Sequence, residues 1–118
     1  MNDVYKIGLP FELYDKFVGS KGKYLILVNL PKRKVYKEGN VLTIVKKDGE
    51  KEIESIKIKI LSILYFNNIK ELVEMIGKDK LGFTPSYTSD KIDDFYNKFN
   101  KYAEIEKYGL MAVNFEIV

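Results

Sequence analysis

Residues 22–40 read GKYLILVNLPKRKVYKEGN, and this stretch decides the fold. From Tyr24 to Leu30 it carries no charge and is apolar on both alternating sets, Tyr24, Ile26 and Val28 on one and Leu25 and Leu27 on the other. Successive side chains of a strand point to opposite faces, so this pattern fits a strand covered on both sides. Pro31 stops the run, and Lys32, Arg33 and Lys34 follow at once. Gly39-Asn40 then makes a tight turn before the next apolar run, Val41 to Val45. A buried strand, a basic loop and a turn in that order suit a small barrel that presents positive charge beside a cleft. The segment points to binding more than to catalysis.

Working outward, residues 4–7 form a strand candidate that continues to Gly8-Leu9-Pro10. Proline is tolerated in the first turn of a helix, and Phe11, Leu13, Tyr14, Phe17 and Val18 then recur at near-helical spacing. Residues 19–22 end that helix, with glycine available for a left-handed cap. Downstream, residues 41–47 form a strand and Asp48-Gly49 a hairpin turn. The return strand runs from Lys51 to about Phe66, with Ile56, Ile58 and Ile60 inward and Lys57 and Lys59 outward. Leu61, Ile63 and Tyr65 then turn the outward set apolar, which predicts a second face that becomes covered halfway along. Asn67 or Asn68 caps a helix over residues 69–76, and Thr88 or Ser89 caps another whose buried stripe is Ile92, Phe95, Tyr96 and Phe99. Residues 109–118 read as a closing strand. The expected fold is α+β: a small, mostly antiparallel β-barrel with two to three packed helices.

The chain of 118 residues is expected to be one domain, residues 1–118, and is long enough to bury a real core. It has no Cys and no His. Disulfides, thiolate metal sites, imidazole ligands and Ser-His or Cys-His nucleophile pairs are therefore excluded, and any chemistry rests on Lys, Asp, Glu, Tyr, Ser or Thr. No cofactor is expected. Asp90, Asp93 and Asp94 share a helix face, but near a helix N-terminus they read as dipole-favoured surface acids rather than as a metal site, so no metal is expected either. No apolar run approaches the roughly 18 residues of a membrane span. The N-terminal residues lack the apolar core of a signal peptide, which leads us to expect a cytoplasmic protein with no membrane partner. Richness in Lys, Glu, Ile and Tyr fits a thermophilic source.

The net charge of +3 is unevenly spread: residues 16–59 hold twelve Lys or Arg against five acids, and the two flanks are net negative. Such a block predicts an anionic partner, nucleic acid above all.

The order and spacing of the elements resemble an ASCH domain, a branch of the PUA-like barrel superfamily. The resemblance covers nearly all of the chain. It rests on the helix before GKYLILVN, on PKRKVYKEGNVL, on a long strand entering FNNIKEL, and on the ending FYNKFNKYAEIEKYGLMAVNFEI. That superfamily includes RNA-binding modules and small amidohydrolases acting on acylated cytidine. Its motif, Gly-x-Lys-x-x-Glu-x-Arg or a Thr variant, is degenerate here. Counted from Gly22-Lys23, the second lysine position is Tyr24, the Glu or Thr position is Leu27 and the Arg position is Asn29. A slip by one keeps Lys23 and puts Ile26 and Val28 at the other two places. Either way the strand carries no carboxylate and no serine or threonine hydroxyl, and hydrolysis needs a base or nucleophile beside a polar oxyanion partner.

The expected function is thus non-catalytic binding of RNA or a nucleotide-like ligand, with no catalytic residue assigned. The candidate contacts are Lys21, Lys23, Asn29, Lys32, Arg33, Lys34, Lys37 and Tyr87. The resemblance implies that Lys21 and Lys23 face the barrel's cleft. The cations would hold phosphates, and Arg33, the chain's one arginine, has the fork geometry for a phosphate or a guanine. Asn29, polar in an apolar strand, either caps the loop backbone or reads a base edge. Tyr87 would stack on a base, alongside the alternatives Tyr65, Phe66 and Phe83. Two other functions stand beside this one: a small amidohydrolase of acylated nucleosides, using Lys21 or Lys23 with a relocated acid, and a protein-interaction module whose basic loop docks an acidic partner.

Overall fold

The computed structural model describes residues 4–20, 23–99 and 102–118. β1 (Val4–Pro10) leads straight into α1 (Phe11–Val18), whose spacing turns Tyr14 and Phe17 inward. Gly19 ends the helix in right-handed, not left-handed, backbone, its N–H donating to the Asp15 carbonyl at 3.0 Å. Among the described residues of this connection Lys23 is left-handed (φ 56°). Ser20 stabilises the turn from inside: its hydroxyl donates to the Phe17 carbonyl at 2.9 Å and accepts from the Tyr24 N–H.

β2 (Tyr24–Val28), β3 (Val41–Asp48), β4 (Lys51–Phe66) and β5 (Leu110–Ile117) complete one sheet in the order β1-β3-β4-β5-β2. β1 pairs parallel with β3, and the β3–β4, β4–β5 and β5–β2 pairs are antiparallel, so the sheet is mixed. It curls into a half-barrel. Among the described residues β1 and β2 remain its two edges rather than pairing to close a barrel, and α1 packs against β1, β3 and β2 across the opening.

Two cores share the sheet. Inside the curl, Phe17 and Tyr14 of α1 meet Leu25, Leu27, Leu42, Ile44, Ile58, Ile60, Met111, Val113 and Phe115. Outside it, α2 (Ile69–Ile76), α3 (Ser89–Phe99) and α4 (Tyr102–Tyr108) cover the other face of β2 and β5. Tyr24, Ile26, Val28, Leu110 and Ala112 belong to that second core, so β2 is apolar on both sets because both its faces are buried.

β4 departs from the sequence expectation at its middle. Register with β5 shifts between Ile60 and Ser62, so Leu61 is the extra residue of a bulge. The bulge reverses the inward phase: Ile63 joins the inner core after Ile56, Ile58 and Ile60. On the outward face Leu61 and Leu64 stay 43% and 44% exposed and cover reaches Phe66 at the strand's end, while Tyr65, in phase with Ile63, is 59% exposed. A phase change, not a second buried face, accounts for the apolar run. No helix among the described residues is long and apolar enough to cross a membrane.

Candidate nucleic-acid interface

The basic loop carries the chain from the end of β2, at one edge of the sheet, to the start of β3, beside the other edge. It is fastened throughout. Pro31–Arg33 make one 3-10 turn, with Arg33 N–H on the Leu30 carbonyl at 2.9 Å and Tyr36 N–H on the Arg33 carbonyl at 3.2 Å. Asn40 Oδ1 accepts from the Lys37 N–H at 2.8 Å, and the Gly39 N–H reaches the Ile60 carbonyl at 2.8 Å. Gly39 lies at φ 88°, which a glycine adopts without steric cost.

Arg33 points under the loop. Its Nη1 donates to the Val28 carbonyl at 2.9 Å, and its guanidinium lies beside the Tyr36 hydroxyl. Burial lowers the Arg33 pKa, opposed by Tyr36 and by the charge of Glu104, and the group stays protonated at neutral pH. Burial also raises the Tyr36 phenol, with Arg33 working against that rise. Lys32, Lys34 and Lys37 are exposed, and among the described residues no carboxylate lies within ion-pair distance of them. By contrast Lys6 pairs with Glu52, and Lys46 with Asp15 at 2.9 Å and Glu54 at 3.5 Å.

Between the loop and β1 lies an open cleft of about 330 Å³, lined by Tyr5, Lys6, Ile7 and Gly8 on one side and by Lys32, Arg33, Val35 and Tyr36 on the other. Ile7 belongs to the inner core while Lys6 and Gly8 are exposed, so four consecutive residues with side chains on both faces form one wall. That wall is therefore the backbone edge of β1. The Tyr5 and Tyr36 rings lean together, centroids 5.1 Å apart and tilted by 58°. Neither tyrosine was a sequence candidate. The available signal was Tyr36 itself, an aromatic set among Lys34 and Lys37 in the loop.

The remaining candidates disperse. Lys21 lies outside the described residues. Lys23 is exposed at the start of β2, and its carbonyl accepts from the Phe115 N–H at 3.1 Å and from Asn114 Nδ2 at 3.2 Å. Asn29 lies six residues on, about 20 Å away at strand rise. Its N–H donates to the Gly109 carbonyl at 3.0 Å, while its buried Oδ1 has no hydrogen-bond partner among the described residues. Tyr87 belongs to the Lys23 end: its ring rests on Phe83 at 5.3 Å, and Lys16 caps that cluster, Nζ 4.5 Å from the Phe83 ring centre and 3.1 Å from the Gly82 carbonyl. Gly82 packs against Ser20, just before β2. The structure thus unites Lys32, Arg33, Lys34 and Lys37 and separates Lys23 and Tyr87 from them. Of the alternative aromatics, Phe83 is buried, Phe66 packs on the outer core and Tyr65 is exposed.

A larger cavity, about 590 Å³, opens between the starts of α2 and α3 and the side of α4. Asp90, Asp93 and Glu106 line it with Asn67, Asn68 and Lys70, a predominantly acidic set. Burial raises the Asp93 carboxyl, and the charges of Asp94 and Asp90 raise it further. Among the described residues no group of three or more acids is arranged to hold a metal ion.

No protein-family model matches the chain, and no curated protein matches it in sequence. The fold itself recurs. A crystal structure of hypothetical protein PH0355 superposes with a TM-score of 0.75 at 22% identity, over 98% of this chain and 100% of that one. The solution structure of protein PF0455 from Pyrococcus furiosus superposes with a TM-score of 0.70, also at 22% identity, over 98% of each chain. At that identity the likeness establishes the shared fold.

Proposed function

We propose that this protein binds RNA or a nucleotide-like anion at the cleft between the basic loop and β1, without catalysis, as a PUA-like domain of ASCH type. The observation that carries the reading is the set of three exposed lysines, Lys32, Lys34 and Lys37, held on a fastened loop with no carboxylate within ion-pair distance among the described residues. An unpaired lysine, Lys32, on a cleft lined by half-buried tyrosines, with Lys34 and Lys37 on the same loop, suits a ligand that is anionic and aromatic at once. Arg33 serves as the brace that holds the loop against β2, and the lysines act as phosphate contacts.

The test is a salt titration of binding to fluorescent single-stranded and hairpin RNA. Three lysine contacts predict a log-log slope of about −2 on a single strand. Replacing Lys32, Lys34 and Lys37 together by Gln is expected to flatten that slope and abolish binding at moderate salt. RNA binding that is absent at low ionic strength, or unchanged in the triple variant, would sink the proposal.

A further inference from the structure

The cleft's two walls differ in chemistry, and the difference specifies the ligand further. The loop wall offers cations at its rim and the ring of Tyr36 behind them. The other wall is the edge of β1, which pairs only with β3 among the described residues. A strand edge presents N–H donors and C=O acceptors in one row. These are the groups that hydrogen-bond the Watson–Crick edge of a base, and a duplex keeps that edge occupied by its own pairing. At about 330 Å³ the space is at the small end of ligand sites and matches a single nucleotide.

We infer that the cleft takes an unpaired nucleotide of a single strand, with its base on the open side of the Tyr5–Tyr36 ring pair, beside the free edge of β1 at Lys6 to Gly8, and its flanking phosphates on Lys32 at the cleft and on Lys34 and Lys37 farther along the loop. The inference rests on the binding function proposed above and narrows it. Arg33 supports this narrowing, because its Nη1 is already committed to the Val28 carbonyl. Phosphate contact then falls to lysine, a point charge with no shape preference, and selectivity for unpaired bases must come from the cleft.

An extended acidic peptide pairing with β1 would meet the same positive rim. The edge is short for that mode: Pro10 removes a donor at its end, and the cleft spans only Tyr5 to Gly8.

The experiment compares an unstructured RNA oligonucleotide, a duplex with the same number of phosphates and a polyglutamate peptide at one salt concentration, for the wild type and for Tyr36→Leu and Tyr36→Phe. The single strand is expected to bind about tenfold tighter than the duplex, Tyr36→Leu to lose about that factor on the single strand alone, and Tyr36→Phe to keep it. In the wild type, protons of one nucleobase should move upfield under a tyrosine ring, a readout that holds even if Tyr36→Leu folds poorly. Equal binding of duplex and single strand, or no ring-shifted base, would overturn the inference while leaving the broader anion-binding function standing. Competition by polyglutamate as strong as by RNA would assign the cleft to a peptide. No binding of any nucleic acid would overturn both.

Discussion

At the scale of single residues, the basic loop separates two roles that its composition lends to any of its cations. Arg33 turns inward to the Val28 carbonyl, and Lys32, Lys34 and Lys37 face solvent. The prediction is a clean division in the variants. Arg33→Gln should cost roughly 1–2 kcal/mol of stability, since a charge-assisted hydrogen bond is lost at a half-buried site. Its RNA salt slope should stay unchanged. Lys32→Gln should leave the melting temperature unchanged and lower the slope by about 0.7. Paired thermal melts and salt titrations read both. Asp93 carries a second residue-level prediction. Its carboxyl is raised in the folded protein, first by burial and then by Asp94 and Asp90. The folded state therefore favours the protonated form more than the unfolded state does. Stability from this group is present at low pH and is lost as pH rises through the folded pKa. Asp93→Asn, which keeps an oxygen to accept from Asn97, should raise stability at neutral pH and change nothing under acid conditions below the carboxylate range. A neutral-pH melt showing destabilisation would contradict the sign.

At the scale of elements, glycine placement explains how the loop-bearing strand is anchored. Gly109 lies at φ 75° between α4 and β5, and a Cβ there would sit 2.6 Å from the Phe66 carbonyl oxygen. The Gly109 carbonyl also receives the Asn29 N–H at the point where β2 gives way to the basic loop. Gly109→Ala combines left-handed strain with a backbone clash and should cost at least about 1–3 kcal/mol. Denaturant unfolding checks this, and hydrogen exchange should report the loss first at Asn29. The sequence made most elements visible for local reasons. α1 and α2 show helical spacing, and α2 is capped at Asn68, whose side chain accepts from the Glu71 N–H at 2.9 Å. β4 shows alternation and a Gly49 turn. What stayed hidden was set by distant partners. The Leu61 bulge exists only relative to β5, and β1–β3 pairing joins segments separated by a whole strand and helix. Likewise the lysines of the site were legible as a charge run, but Tyr5 becomes part of it only because the loop crosses back to the opposite edge of the sheet. Lys23 and Tyr87 looked like partners of that loop because sequence proximity and residue type do not disclose which end of β2 a group occupies.

At the scale of the whole molecule, the two cores are joined by shared strands rather than by a hinge. Leu25 and Leu27 of β2 face the inner core while Ile26 and Val28 face the outer one, and β5 divides in the same way. Loosening either core therefore uncovers one face of strands that the other core needs. The expected behaviour is a single cooperative transition, although the inner core is closed by one helix, α1, together with Tyr36 of the basic loop, and the outer by three helices. Phe17→Ala in α1 removes a ring that is 4% exposed and packs, tilted by 54°, with its centre 4.9 Å from that of Phe115. Ile92→Ala in α3 empties a fully buried position of the other core. Each should cost about 2–5 kcal/mol. Each should also move the tyrosine near-ultraviolet signal and the backbone far-ultraviolet signal by the same amount, with one midpoint. Two separated midpoints, with Phe17→Ala shifting only one of them, would show that the half-barrel and its helical layer unfold independently. The binding site would then depend on the half-barrel alone, because every residue of the cleft lies on β1 or on the loop between β2 and β3.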